Sequence, residues 1–118
     1  MIEIGEYARM KSGEILKITG TCYEIDDYKI YKTDRNYTIV EDEIKSHSKN
    51  IVDLIEVGDI VHTMEVLDEE PYTWDEDIYY IWSENHLSSI IKAIKNRINL
   101  IEILTHEQYE QNCYRLEG

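Results

Sequence analysis

The chain has 118 residues, 42% hydrophobic and 31% charged, a balance that excludes a disordered polymer and suits one ordinary globular domain. Its formal net charge is -13, from 25 acidic and 12 basic side chains, which disfavours direct binding to nucleic acid and favours a basic protein surface as partner. No run approaches the roughly 20 apolar residues of a membrane span, and MIEIGEY lacks the basic and apolar regions of a signal peptide, so a cytoplasmic protein without membrane contact is expected.

In chain order, the first recognisable pattern is IGEYA (4 to 8), which returns as VGDIV (57 to 61): apolar, Gly, acid, apolar, apolar. The pair reads equally well as an internal repeat or as one strand-leading chemistry used twice. After the first copy, Ser12-Gly13 is a tight-turn signal, so 4 to 18 is predicted to form a hairpin. This opening resembles that of SH3-like small β-barrels, in which a Gly-Asp-apolar-Val strand starts the barrel. Further strands are predicted at 21–25, 28–32 and 37–40, where Tyr, Ile, Val and Thr dominate, with turns at Asp26-Asp27 and Asp34-Arg35-Asn36. The segment 41–45 is expected to leave the sheet. Asn50 is predicted to cap a short helical turn over Ile51, Leu54 and Ile55, which Gly58 ends.

A strand at 61–67, an acidic loop and a strand at 78–82 come next. Leu87, Ile90, Ile91 and Ile94 lie on one face of a helix over 86–97. The run 98–104 reads as a strand or as a continuation of that helix. Thr105-His106-Glu107-Gln108 matches a capping box, which predicts a short helix and then a closing strand at 113–116. Tyr7, Tyr79 or Tyr80, and Tyr109 are the tyrosines expected in the core. The fold class is α+β: an SH3-like small β-barrel or a strongly bent antiparallel sheet, with one amphipathic helix and a short C-terminal helix. A single domain is expected over 1–118, with barrel-like strands over 1–66 and the acidic loop and closing elements over 67–118.

The acidic loop is centred on DEEPYTWDED (68 to 77), and between Lys49 and Lys92 there are eleven acids and no Lys or Arg. Glu65, Asp68, Glu69, Glu70, Asp75, Glu76 and Asp77 form the candidate partner-binding set, together with Tyr72 and Trp74. Clustered carboxylates imitate the charge density of duplex DNA, about one charge per 1.7 Å of axis. Trp and Tyr are the usual anchors of protein interfaces. The competing reading of Trp74 is a pin for its own loop.

Other chemistries find no pattern. A general acid/base pair needs one buried acid beside a contrasting one, and these acids sit in solvated runs. LDEEPYTWDED lacks the alternating acids and the Gly of a calcium loop. His47, His62, His86 and His106 fall in no HxxxH or HxH spacing, and HEQYE lacks a zincin's second His. GxGxxG, GxxxxGK[ST] and GxSxG are missing. Cys22 and Cys113 have no CxxC context and read as reduced thiols, Cys22 as a small core residue. The chain is therefore expected to be no enzyme, with no catalytic, cofactor or metal residues.

HSKNIVDLIEVGDIV (47 to 61) and ILTHEQYEQNCYRL (103 to 116) resemble motifs of small proteins encoded by phages and prophages of Firmicutes. The motifs are structural and carry over no site, and 65–95 departs from that group. Small acidic phage proteins include many anti-CRISPR proteins, several of which resemble DNA mimics. The resemblance implies a phage inhibitor of host defence that acts in the bacterial cytoplasm. Its partner would be a basic nucleic-acid-binding host protein, a Cas effector such as Cas9 foremost. A second reading is an oligomeric sponge for a cyclic-nucleotide signal, its phosphates held by Arg9, Lys11, Lys17, Lys29, Lys32 and Arg35. A third is a phage protein-interaction module that binds through its barrel edge and uses its charge only for solubility.

Overall fold

The structure is a computed structural model that describes residues 2–25 and 28–112. The predicted turn at Asp26-Asp27, the predicted closing strand at 113–116 and Cys113 lie outside the described residues. The chain is a small α+β protein, mostly antiparallel strands, and it divides into two compact units, Met1–Leu54 and Ile55–Gly118. No helix among the described residues is long and apolar enough to cross a membrane.

In the first unit, Gly5 (φ +96°) and Gly13 (φ +93°) take left-handed conformations that favour glycine. They bracket β1 (Tyr7–Met10), and Gly13 turns the chain into β2 (Ile15–Ile25). β3 (Tyr28–Thr33), β4 (Thr38–Val40) and β5 (Ile44–Ser48) complete a sheet of order β4-β3-β2-β1-β5. One face buries Ala8, Met10, Leu16, Ile18, Tyr31 and Ile39. The sheet is open at β4 and β5 and does not close into a barrel; the bent-sheet expectation fits, with register shifts in β2 around Gly20.

Two segments of the first unit depart from expectation. Only Glu41–Glu43 leaves the sheet, as a 3-10 turn, and Ile44 returns at once as β5 beside β1, with Ala8 opposite His47. IKSHS carries almost no β-branched signal, so backbone pairing with β1 decides its conformation. Cys22 is a free, exposed thiol and not a core residue; it sits at a register shift of β2, between Thr21 opposite Tyr31 and Tyr23 opposite Ile30.

In the second unit, β6 (Ile60–Glu69) and β7 (Tyr72–Tyr80) form a long hairpin, followed by α1 (Glu84–Asn96), β8 (Asn99–Leu104) and α2 (His106–Asn112). The sheet order is β7-β6-β8. Val61, Ile81, Ile90 and Ile98 are buried in this unit. Ser83 caps α1 by accepting from His86 N at 3.1 Å. The 98–104 ambiguity resolves as a strand from Asn99. The capping box of α2 is present in its reciprocal half: Thr105 N donates to Gln108 Oε1 at 3.2 Å.

The acidic loop is also corrected. Strand pairing runs through 65–77 and leaves only Glu70-Pro71 between the two strands. Asp and Glu are poor strand formers, which hid the alternation of Tyr72, Trp74, Ile78 and Tyr80.

Both units open with one turn. Glu3 N donates to the Glu6 carboxylate, as Glu56 N donates to Asp59 Oδ2. Gly5 N reaches Ile18 O at 2.8 Å, and Gly58 N reaches Ile81 O at 2.6 Å. Ile18 N returns to Glu6 O at 2.8 Å, and Ile81 N returns to Asp59 O at 2.9 Å. The first strand of each unit then lies between its hairpin partner and a later strand: β2-β1-β5 in one, β7-β6-β8 in the other. A helical turn follows each later strand, Ile51–Leu54 after β5 and α2 after β8. IGEYA and VGDIV therefore mark two copies of one architectural plan. The inserts differ, with β3 and β4 in the first unit and α1 in the second.

Candidate interaction surface

The β6–β7 register sorts the acidic segment into two faces. Val61 stands opposite Tyr79, Thr63 opposite Asp77, Glu65 opposite Asp75, and Asp68 opposite Thr73. Side chains directly opposite share a face. This face is core at its base, where Val61 and Thr63 are buried and the Tyr79 ring meets His86 of α1 edge-on. Toward the tip it becomes acidic: Glu65, Asp68, Asp75 and Asp77. Burial raises the Tyr79 hydroxyl pKa, and the charge of Asp77 raises it further. Glu65 directly across from Asp75 is a like-charge pair, which weakens the hairpin on its own.

The other face carries Ile60, His62, Met64 and Val66 of β6 opposite Tyr80, Ile78, Glu76 and Trp74 of β7, with Glu69 opposite Tyr72 at the tip. It is open to solvent: Tyr72 is 56% exposed, Trp74 49%, Ile78 71% and Tyr80 55%. Tyr72 and Trp74 lie side by side, ring centroids 5.3 Å apart. Glu76 sits within this stripe, 3.5 Å from His62 Nε2. Scattered surface apolar residues are ordinary, but a row of four on one strand is a surface of the kind that partners cover.

All nine residues of the expected partner-binding set thus lie on one hairpin: Glu65, Asp68, Glu69, Glu70, Tyr72, Trp74, Asp75, Glu76 and Asp77. They do not form one mixed patch. Glu65, Asp68, Asp75 and Asp77 share a face; Glu69, Tyr72, Trp74 and Glu76 share the other; Glu70 is in the turn. Sequence reasoning overlooked Ile78 and Tyr80, which extend the aromatic face. The period of two through Tyr72, Trp74, Ile78 and Tyr80 was the signal that pointed to them. Of the expected core tyrosines, Tyr7, Tyr79 and Tyr109 are half-buried and Tyr80 faces out; Tyr31, which was not among them, fills the core of the first unit.

A second cluster surrounds the leading turn of the second unit. His106 Nε2 lies 3.1 Å from Glu56 Oε1 and 2.8 Å from Glu107 Oε1, and Nδ1 lies 3.7 Å from Glu110. Asp59, fully buried, accepts from Glu56 N at 2.8 Å and His106 N at 2.9 Å, which fixes both backbones. Tyr109 donates its hydroxyl proton to Gly58 O, and its pKa is raised by burial and by neighbouring Tyr80. One ligand atom each from Glu56, His106 and Glu107 lie within 4.8 Å of one another, a mixed nitrogen and oxygen set that can take a divalent cation. No local motif foretold it, because Glu56 and His106 are brought together from opposite ends of the unit.

In the first unit, Lys32, Arg35, Tyr37 and Thr38 line a shallow pocket of about 270 Å³. Of the six cations assigned to phosphate binding in the sponge reading, Arg9 is unavailable: it is fully buried and donates from Nη1 to Leu54 O at 2.9 Å.

No protein-family model, curated protein or solved structure matches this chain.

Proposed function

We propose that the chain is an interaction protein whose β6–β7 hairpin occupies the basic, nucleic-acid-binding groove of a host protein, and that a Cas9-type effector is its target. The carrying observation is the sorting of charge and rings on one exposed hairpin. Carboxylates of alternate residues on a strand repeat at about 7 Å, so Glu65, Asp68, Asp75 and Asp77 offer a row of negative charge to Lys and Arg side chains. Trp74 and Tyr72 on the reverse supply amphipathic contact area. Charge sets the approach and the rings set the dwell time. The choice of effector rests on the resemblance to phage proteins; the choice of a basic groove rests on the hairpin.

A competition assay tests the reading: labelled target duplex bound to guide-loaded effector is titrated with the protein. Displacement that weakens as salt rises is expected. Failure of excess protein to displace the duplex at low salt refutes it. A second reading, sequestration of a cyclic nucleotide, draws on the pocket of Lys32, Arg35 and Tyr37. It requires nucleotide binding that Lys32→Ala and Arg35→Ala abolish while a neutralised hairpin leaves it intact.

A further inference from the structure

The shared plan of the two units exposes a difference at one strand. In the first unit, β2 is paired on both edges, by β1 and by β3. Its counterpart β7 is paired by β6 alone, and its outer edge meets no strand among the described residues. An open edge is a row of backbone donors and acceptors ready for another chain. β7 offers nine residues of it, long for an edge that nothing blunts with proline or lysine.

The side chains of β7 narrow the class of strand that can add there. Asp75 and Asp77 point to one face, Trp74, Ile78 and Tyr80 to the other, and Glu76 lies among the rings. A second copy pairing edge to edge over the full length of β7, antiparallel about Glu76 or parallel in register, would set Asp75, Glu76 and Asp77 beside the same acids, and like charges opposite one another destabilise a sheet. The chain thus selects against itself. A basic strand relieves the repulsion already present between Glu65 and Asp75. The strand that fills this place in the first unit, β3, illustrates the chemistry: its sequence YKIYKT has two lysines, three apolar or aromatic residues and no acid.

We propose that β7 captures an extended basic segment of its partner as an added antiparallel or parallel strand. The segment alternates Lys or Arg, facing Asp75 and Asp77, with apolar residues, facing Trp74 and Ile78. This rests on the hairpin being the binding surface and adds what it binds: main chain supplies affinity, and alternation supplies specificity. It differs from charge mimicry alone, which needs no fixed spacing of the cations along the partner.

Labelled nine-residue peptides separate the two. One alternates Lys with Val and Tyr; a second has the same composition with its lysines in one block. Two further versions of the alternating peptide carry N-methyl groups on odd or on even residues, removing the N–H groups of one edge at a time. Anisotropy titrations against the full chain should show the alternating peptide binding about tenfold or more tightly than the block peptide. One N-methyl series should lose binding by about tenfold or more, and the other should retain it, because only one edge of the peptide faces β7. Equal binding by alternating and block peptides would overturn the proposal, as would equal tolerance of both methylation patterns or no binding by the alternating peptide. So would a dimer that a variant with Asn or Gln at Asp68, Glu69, Glu70, Asp75, Glu76 and Asp77 keeps and the alternating peptide disperses, which would seat a second copy on the edge. Duplex displacement from the effector without peptide preference leaves the groove-blocking function standing and removes only the added strand. Peptide preference without displacement does the reverse.

Discussion

The two units begin with the same turn and end with different surfaces. In the first, β3 covers the second strand and carries Tyr31 into the core. In the second, no described strand covers β7, and Tyr72, Trp74, Ile78 and Tyr80 remain in solvent. Aromatic residues on a strand are core or contact surface according to what lies beside and above that strand. Residue type alone does not distinguish Tyr31 from Trp74. The turns differ too: Glu6 is met by the His47 side chain, whereas Asp59 is met by His106 through its backbone, leaving the imidazole to Glu56 and Glu107.

Substitutions at matched positions of the two units should have unequal effects. The largest effect should come from the turn acids. Asp59→Ala strands two backbone donors in a fully buried site and should cost about 3 kcal/mol in urea unfolding, more than Glu6→Ala. Equal costs would mean the two turns are held alike. Glycine is next. Gly58 and Gly5 share a positive φ, but a Cβ at Gly58 would meet His106 Cβ at 3.3 Å, while none of its surroundings would touch one at Gly5. Gly5→Ala should cost about 1 kcal/mol from strain alone and Gly58→Ala about 2 kcal/mol. Identical midpoints would remove His106 from the account.

Thr105→Ala should cost about 1 kcal/mol by weakening the α2 cap, read as a shifted midpoint with unchanged slope. Glu65→Gln should act in the opposite sense, stabilising by about 0.5 kcal/mol as the like-charge pair with Asp75 disappears. Destabilisation there would show that Glu65 is already compensated. The smallest effect concerns acid. The Glu3 backbone N–H, and then His47, holds the Glu6 carboxyl below its ordinary value of 4.5 against the opposing effect of burial. Its contribution to stability is therefore present above that value and lost as pH falls below it through the folded pKa. Glu6→Gln should flatten the stability profile below about pH 4.5 and leave its shape near neutrality unchanged. An unaltered acid limb would contradict the assignment.

The sequence made some of this legible. Periodicity located α1, Ser12-Gly13 located the first hairpin, and Thr105 to Gln108 located the C-terminal helix. The nine hairpin residues were legible as a set because charge and aromatic content are visible in composition. Their division into two faces was not, since a face is fixed by register, and register depends on a two-residue turn and a bulge at Leu67 that no local pattern marked. β5 was hidden because Ile44 is the one strong strand former in IKSHS and its pairing with β1 is a long-range contact. Glu56 and His106 meet through the folding of β8 back along β6, and no short motif encodes that.

Binding through charge on one face of the hairpin and rings on the other should show in the salt dependence of duplex displacement from a guide-loaded Cas9-type effector. The wild-type chain is compared with a variant carrying Asn or Gln at Asp68, Glu69, Glu70, Asp75, Glu76 and Asp77, and with Trp74→Ala, all shown to be folded by circular dichroism. The neutral variant should bind more slowly and with a flattened salt dependence. Trp74→Ala should keep the salt dependence and dissociate faster, by about 2 kcal/mol or more in affinity. Undiminished binding by the neutral variant would contradict the claim.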